Sequence, residues 1–187
     1  LRLAVCTVPR AGTRQWPWRS AVEARAPQVI PQSKPCASLV IQVYTHPACL
    51  AHDTGPEHVE RPARLSTVLR ALETAHPDID WQPAPRATRG QLLRVHDEAL
   101  LATVLETAPH GLISLDPDTV LSPGSGEAAL RAAGAGVAAV DAVLEGRTQR
   151  AFCAVRPPGH HATASAAMGF CLFNNIAVAA RHALDKH

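Results

Sequence analysis

Short apolar segments alternate with helical segments along this chain, and that alternation restricts the fold more than any other feature. Residues 39–44 (Leu-Val-Ile-Gln-Val-Tyr) and 151–155 (Ala-Phe-Cys-Ala-Val) have the length and the apolar character of buried strands. Residues 62–75 carry apolar side chains at helical spacing, and the Ala-rich residues 123–144 predict a long helix. Strands that alternate with helices predict an α/β fold with a parallel sheet and flanking helices.

The remaining segments fit this pattern. Ser122 is predicted to cap the long helix, Pro123 to occupy its first position and Gly146 to end it. The other predictions are, in chain order, a Pro-rich connector at 77–88, short helices at 89–94 and 97–107, a loop at 111–122 and a last helix from about Phe173.

Length and charge narrow the classes of function. A chain of 187 residues is expected to form one domain, and with 4% aromatic residues its core must consist mainly of Ala, Val and Leu. Residues 1–38 carry six basic side chains against Glu23 alone, whereas residues 39–187 carry 12 basic and 15 acidic side chains. The domain therefore lacks the basic surface of a nucleic-acid-binding protein. No apolar run reaches 18 residues, so no membrane span is expected.

Residues 1–38 are predicted to be an extension outside the domain, which we place at 39–187. The Arg-rich extension is open to interpretation as an organellar transit segment, a mis-called upstream segment or a disordered tail. Five cysteines without C-x-x-C spacing favour reduced thiols and a cytoplasmic setting. The chain starts at Leu1 and ends inside a predicted helix, so we expect a piece of a longer protein. The oligomeric state is left open by the sequence.

The strongest functional signal is the adjacent pair His160 and His161, which follows Pro157-Pro158-Gly159 at the end of a predicted strand. Imidazoles exchange protons near neutral pH and also bind metals. Ligands of open α/β sheets bind at the carboxyl ends of the strands. Catalysis or metal binding is therefore as well supported as a structural role for this pair.

Several motifs together resemble one family. They are Arg156-Pro-Pro-Gly-His-His-Ala162, Met168-Gly-Phe-Cys-Leu-Phe-Asn-Asn175, His52-Asp-Thr-Gly-Pro-Glu-His-Val-Glu-Arg-Pro-Ala-Arg-Leu65, Leu93-Arg-Val-His96 and Ser122-Pro-Gly-Ser-Gly-Glu-Ala-Ala-Leu130. This set resembles the histone deacetylase and acetylpolyamine amidohydrolase family, particularly its bacterial and class II branches. The resemblance covers residues 39–187 and implies an arginase-like parallel sheet that is incomplete at the C-terminus.

The resemblance also implies roles for single residues. His161 matches the general base of a zinc-dependent amide hydrolysis, and His160 matches its electrostatic or acid partner. Gly169 matches a residue whose carbonyl approaches the substrate amide, and Phe170 matches an aromatic wall of the acyl-lysine tunnel. Arg64 matches an arginine of an internal channel, and Asp118 lies where the family grips substrate backbone. An exposed Asx turn explains Asp116 and Asp118 equally well.

The implied substrate is acetyl-lysine in a protein or an acetylpolyamine, and the implied cofactor is zinc. The family's zinc ligands lie C-terminal to the Gly-Phe-Cys segment, and we expect them beyond His187. We therefore expect this chain alone to bind no zinc. A catalytically inactive fragment or an interaction module is the alternative, and a ureohydrolase on the same fold is a more distant one. Val59 stands where the family commonly has Pro.

Two further clusters have weaker interpretations. The loop that holds His46, Cys49, His52 and His58 has zinc-ligating residue types but not the spacing of a zinc finger. The glycine pairs Gly124/Gly126 and Gly134/Gly136 are more consistent with close helix packing than with a dinucleotide-binding loop, because no strand precedes the first pair and the second falls within a helical pattern.

Overall fold

A sheet of three parallel strands organises residues 41–186, the part of the chain that the computed structural model describes. Strand β1 (Gln42–Thr45) is central, between β2 (Asp80–Pro83) and β5 (Ala151–Cys153). Val43 pairs with Trp81 on one side and with Phe152 on the other. The sheet and its flanking helices confirm the predicted α/β class. The predicted extension, residues 1–38, lies outside the described residues.

Five α-helices and a small hairpin connect the strands in the described part. The helices are α1 (Pro62–Ala75), α2 (Arg89–Leu92), α3 (Glu98–Leu105), α4 (Ser125–Leu144) and α5 (Asn175–Lys186). A 3-10 helix covers Pro47–Leu50, and β3 (Ile113–Ser114) pairs antiparallel with β4 (Val120–Leu121). None of these helices has the length and hydropathy of a membrane span.

The alternation of side chains along β1 places a helix on each face of the sheet. Val43 points to the face that α1 covers, where it packs with Leu65 and Trp81. Tyr44 points to the opposite face, where it packs with Ala135 and Ala142 of α4. The small alanine side chains of α4 let this helix lie close against the sheet. The alanines of the predicted Ala, Val and Leu core thus lie in the layer between the sheet and α4.

Besides the two layers on the faces of the sheet, a further apolar cluster joins α3, α4 and α5. Its fully buried members include Leu101, Leu121, Leu172, Phe173 and Val178. Leu172 and Phe173 belong to the segment that follows the histidine pair, so this cluster holds one end of that segment in place. The cluster therefore connects the stability of the fold to the geometry of the candidate site.

The structure corrects several local predictions. Residues 77–88 were expected to be a connector, but they contain β2, because a proline at the end of an edge strand interrupts no ladder hydrogen bond. The 111–122 loop contains the β3–β4 hairpin. Ser122 is not the N-cap of α4; Gly124 occupies that position without a side-chain cap. Helix α5 begins at Asn175, where the Asn174 side chain accepts a hydrogen bond from Ala177 N–H at 3.0 Å.

Candidate active site

Two loops meet at the carboxyl edge of the parallel sheet. The loop after β1 carries His52, His58 and Glu60, and the loop after β5 carries Arg156 and the histidine pair. Since β1 and β5 are adjacent and parallel, the topology brings both loops to the same edge. This is the position at which open α/β sheets bind their ligands.

The histidine pair is exposed on this edge, and backbone contacts hold it there. The ring centroids of His160 and His161 are 4.2 Å apart with the planes inclined by 50°. The backbone N–H of His160 donates to Cys171 Sγ at 3.4 Å, and Cys171 Sγ donates to the Gly169 carbonyl at 3.3 Å. The thiol of Cys171 therefore connects the histidine pair to the turn opposite it.

That turn is a tight hairpin from Met168 to Cys171, closed by two backbone hydrogen bonds of 3.0 and 3.1 Å. Gly169 (φ 58°) and Phe170 (φ 67°) are both left-handed, which is the pattern of a type I′ turn. A β-carbon on Gly169 would lie 2.8 Å from Cβ and Cγ of His161. Only glycine permits this approach, so the turn lies directly against the histidine.

A pocket of about 360 Å³ opens between the two loops. It is lined by Val59, Glu60, Arg64, Pro158, His160, His161, Gly169 and Phe170. Five of the six predicted site residues therefore share one cavity. The sixth, Asp118, is outside the lining.

Asp118 contacts the pocket wall only through neighbours. Its carbonyl oxygen lies 3.1 Å from His58 Nε2, and its carboxylate accepts a hydrogen bond from Thr119 Oγ1 at 3.1 Å. The same Thr119 oxygen accepts the backbone N–H of Phe170 at 2.9 Å. Asp116 accepts Asp118 N–H at 2.9 Å, so the Asx turn left open by the sequence is present. Burial alone would raise the pKa of Asp116, and the hydrogen bonds from Asp118 and Thr119 lower it overall.

His58 supports Phe170 from the first loop. Glu60 N–H donates to His58 Nδ1 at 3.0 Å, so this nitrogen carries no proton and Nε2–H donates to the Asp118 carbonyl. The ring meets Phe170 edge to face, with centroids 5.1 Å apart. The first loop therefore fixes the aromatic wall that the sequence predicted.

A buried ion pair, Arg156 with Glu60, fastens the two loops together. Arg156 Nε and Nη2 each lie 2.7 Å from a carboxylate oxygen of Glu60, and both side chains are 3% exposed. The other donors of the guanidinium reach the carbonyls of Cys49, His52 and Glu60 at 2.8–3.0 Å. All five donors of Arg156 are thus used. The pair itself is not evident from the sequence, where the available signal was a charged residue directly after the predicted strand at 151–155 and before Pro-Pro.

Arg64, the predicted channel residue, contacts the same carboxylate more weakly. Its Nη1 lies 3.5 Å from Glu60 Oε1, and its side chain is 62% exposed. Arg64 therefore forms an open wall of the pocket in the described residues. Its role in an internal channel stays a prediction.

A buried polar network ties the first loop to the start of α4. His52 Nδ1 lies 2.7 Å from Ser125 Oγ, which lies 2.9 Å from Ser122 Oγ. Ser122 Oγ also accepts the backbone N–H of Asp53 at 3.0 Å. Burial lowers the pKa of His52 to about 3, with a further contribution from the charge of Arg156. His52 is therefore neutral, and its Nδ1 is engaged with Ser125.

No three His, Cys, Asp or Glu side chains within residues 41–186 are grouped so that they could hold a metal ion. The described residues therefore do not by themselves form the zinc site that the sequence resemblance implies. The histidine pair contributes two exposed imidazoles to the pocket.

Comparison with known proteins identifies the family. The histone deacetylase domain model matches residues 58–187, which include every predicted site residue. The chain belongs to the histone deacetylase family. Within this family it is 40% identical over 141 residues to a histone deacetylase-like amidohydrolase of Pseudomonas aeruginosa, covering 75% of this chain and 36% of that protein.

A human family member and a solved structure extend the comparison. The polyamine deacetylase HDAC10 of Homo sapiens is 40% identical over 140 residues, covering 69% of this chain and 20% of that protein. The crystal structure of the HDA15 HD domain superposes with a TM-score of 0.74 at 34% identity, covering 78% of this chain and 43% of that one. This histone deacetylase family chain thus spans less than half the length of these relatives.

Proposed function

We propose that the protein carrying this chain hydrolyses acetylated amines, either acetyl-lysine in a protein or an acetylpolyamine. The observation that supports this most is the shared pocket in which His160 and His161 lie against Gly169 and Phe170. The family's members bear names of both substrate classes, a histone deacetylase-like amidohydrolase and a polyamine deacetylase. Acid–base residues beside an apolar wall suit an amide at the end of an alkyl chain.

In this proposal His161 is the general base. It takes a proton from the water whose oxygen attacks the amide carbonyl, and the proton then passes to the amine as the carbon–nitrogen bond breaks. The products are acetate and a free amine. His160, whose ring centroid is 4.2 Å from that of His161, is the acid or electrostatic partner.

Gly169 and Phe170 would position the substrate. The Gly169 carbonyl already accepts the Cys171 thiol and has a second lone pair for the substrate amide N–H. The ring of Phe170, braced by His58, offers a flat face to the alkyl chain. Asp118 would contact the substrate backbone at the rim, and Arg64 would belong to the internal channel that the family resemblance implies.

Zinc dependence is part of the proposal, and only the family resemblance supports it. Since residues 41–186 hold no metal-binding group of three side chains, the zinc ligands would come from residues outside that range. No step above depends on the position of the metal. The histidine pair would supply the proton transfers of the active site.

The test is acetate release by the complete protein that carries this chain. An acetyl-lysine peptide and an N-acetylated polyamine should each be assayed, with arginine as the substrate of the ureohydrolase alternative. We expect acetate from at least one acetylated amine, loss of activity after chelation and recovery with zinc. Ureohydrolysis, or a folded protein that releases no acetate, would contradict the proposal, the second result favouring the interaction-module alternative.

A further inference from the structure

His96 is a buried imidazole outside the pocket. It hydrogen-bonds to the backbone at both ends of the segment that carries the Gly169-Phe170 turn. It lies between α2 and α3 and is 3% exposed. Its Nδ1 is 2.8 Å from the carbonyl oxygen of Thr163, and its Nε2 is 2.9 Å from the backbone nitrogen of Asn174. Since Asn174 N–H can only donate, Nε2 accepts and Nδ1–H donates. The ring is therefore neutral and has one defined tautomer.

The two backbone groups that His96 contacts lie on either side of the Gly169-Phe170 turn in the sequence. Thr163 follows the histidine pair by two residues, and Asn174 follows the Gly169-Phe170 turn. Asn174 continues the clamp, because its side chain donates to the Ala162 carbonyl at 3.0 Å, next to His161. One imidazole and one amide thus close residues 162–174 into a loop of fixed width.

The surroundings of His96 suit a rigid support. The backbone N–H of the adjacent Asp97 donates to the Ala164 carbonyl at 2.9 Å, and the Phe173 ring lies 5.4 Å from the imidazole. Asp97 itself caps α3 by accepting Leu100 N–H at 2.8 Å. Burial lowers the pKa of His96, which keeps Nε2 free to accept, while the nearby Thr163 and Ala164 carbonyls oppose that shift.

We infer that His96 is a positioning residue for the proposed hydrolysis: through Thr163 and Asn174 it sets the place of the His160-His161 pair relative to the Gly169-Phe170 turn. The inference rests on the proposed function for its catalytic meaning. Phe170 has its own anchors in Thr119 and His58. Loss of His96 should therefore disturb the histidine pair more than the aromatic wall.

Three substitutions separate the two hydrogen bonds. His96→Asn keeps a donor near the position of Nδ1 and loses the acceptor for Asn174. His96→Gln keeps a polar atom near the position of Nε2 and loses the donor for Thr163. His96→Ala loses both. The matched control is His182→Asn, because His182 is also buried but its imidazole bonds to Asp141 of α4, 2.8 Å away.

The complete protein should be tested for amide hydrolysis and for amide hydrogen exchange by mass spectrometry. We expect His96→Ala to lower kcat on the order of ten- to a hundredfold with a smaller change in KM, since small displacements of catalytic groups have effects of this size. His96→Asn and His96→Gln should retain more activity than His96→Ala. Exchange should rise in residues 159–174 in all three variants and stay unchanged there in His182→Asn.

Two results would overturn the inference. One is a kcat within twofold of wild type for His96→Ala. The other is unchanged exchange in residues 159–174, which would show that His96 supports the fold without fixing this loop. If wild type hydrolyses no acetylated amine, the proposed function fails, and the exchange measurement still decides whether His96 holds the loop.

Discussion

At the scale of single residues, the Arg156–Glu60 pair is the connection on which the geometry of the pocket depends most. Both side chains are buried, and Arg156 directly precedes the Pro-Pro-Gly segment that leads to His160. A buried ion pair is not in itself strong evidence of stability, but removal of one partner leaves an uncompensated charge. We therefore expect the free energy of unfolding to fall strongly when one partner of this pair is replaced.

Arg156→Met should lower the free energy of unfolding by about 3–5 kcal/mol, because Glu60 is left as a buried carboxylate with only the long, exposed contact to Arg64. Arg156→Met/Glu60→Leu should recover only part of this loss, since the carbonyls of Cys49, His52 and Glu60 lose their donor as well. Arg64→Met is the control. It breaks an exposed contact to the same carboxylate and should cost less than about 1 kcal/mol. Urea denaturation measures all three, and equal losses for Arg156→Met and Arg64→Met would show that the buried pair matters no more to stability than the exposed contact.

Gly169→Ala should damage activity more than stability. The new β-carbon would lie 2.8 Å from His161 Cβ and Cγ, at a left-handed φ that costs about 1–2 kcal/mol for a residue other than glycine. His161 must then move. The control is Gly111→Ala, because a β-carbon there meets no atom within 4 Å. Steady-state kinetics should show a large loss of kcat for Gly169→Ala alone, and similar kinetics for the two variants would exclude the close approach.

His52 predicts a dependence of stability on pH. Its pKa is lowered to about 3 by burial, below the value near 6.5 expected for the unfolded chain. Between these values the unfolded state binds a proton that the native state does not. The contribution is therefore fully present above about pH 6.5 and is lost as the pH falls, with a slope of at most about 1.4 kcal/mol per pH unit. The difference in stability between wild type and His52→Asn should shrink from pH 7 to pH 4; a constant difference would show that His52 is not responsible.

The sequence motifs anticipated five residues of the pocket lining, but neither Glu60, which also lines the pocket, nor the residues that support it. The tandem histidines and the Gly169-Phe170 pair are carried by contiguous motifs, so their proximity could be anticipated. Arg156 and Glu60 are 96 positions apart, and His96 contacts Asn174 across 78 positions. The tertiary fold brings such distant partners together, and the local pattern of residues does not indicate which residues will meet.

At the scale of elements, α4 shows why small residues recur in the middle of a helix. A β-carbon on Gly134 would lie 2.0 Å from the Pro85 carbonyl oxygen and 2.6 Å from Ala87 N, whereas on Gly136 it would lie 3.2 Å from Ala179 Cβ. Both glycines therefore serve packing, Gly134 against backbone and Gly136 against a side chain. The predicted packing role of this pair is confirmed.

Gly134→Ala should destabilise the protein by about 1–3 kcal/mol despite the better helix propensity of alanine, because the contacting backbone cannot yield. Gly136→Ala gains the same propensity, about 1 kcal/mol, and its β-carbon would lie 3.2 Å from Ala179 Cβ and 3.4 Å from the Asn175 carbonyl oxygen. A shift of a few tenths of an ångström between α4 and α5 accommodates these contacts, so this variant should be close to neutral. Thermal unfolding of the two variants provides the measurement. A Gly136→Ala variant less stable than Gly134→Ala would contradict the packing described here.

Element boundaries were predictable where local chemistry decided them. Helix α1 spans Pro62–Ala75, as the apolar spacing and the proline at its first position predicted. Strand β2 was missed because the prolines at 77, 83 and 85 indicate a connector, and only its place at the edge of the sheet makes Pro83 acceptable. The prediction that Ser122 caps α4 was wrong because the Ser122 hydroxyl belongs to the hydrogen-bond network of His52 and Ser125 and does not cap the helix.

At the scale of the whole molecule, the sheet has one function for the site: it brings the loops after β1 and β5 to the same edge. Helix α1 covers one face and α4 the other, so both loops start from a rigid base. The α/β class followed from the alternation of segments in the sequence, and the resemblance to the histone deacetylase family agrees with the match over residues 58–187. We propose that this edge performs acid–base chemistry on an amide.

The most direct test of this claim is the turnover number of the complete protein with His161→Ala, compared with wild type, His160→Ala and His110→Ala. His110 lies in the segment before β3, outside the pocket lining, and is the control. Loss of a general base costs on the order of 10²–10⁴ in rate, so we expect His161→Ala to fall by that factor, His160→Ala by less and His110→Ala not at all. Near-normal turnover in His161→Ala would show that the histidine pair is not the catalytic base of this protein.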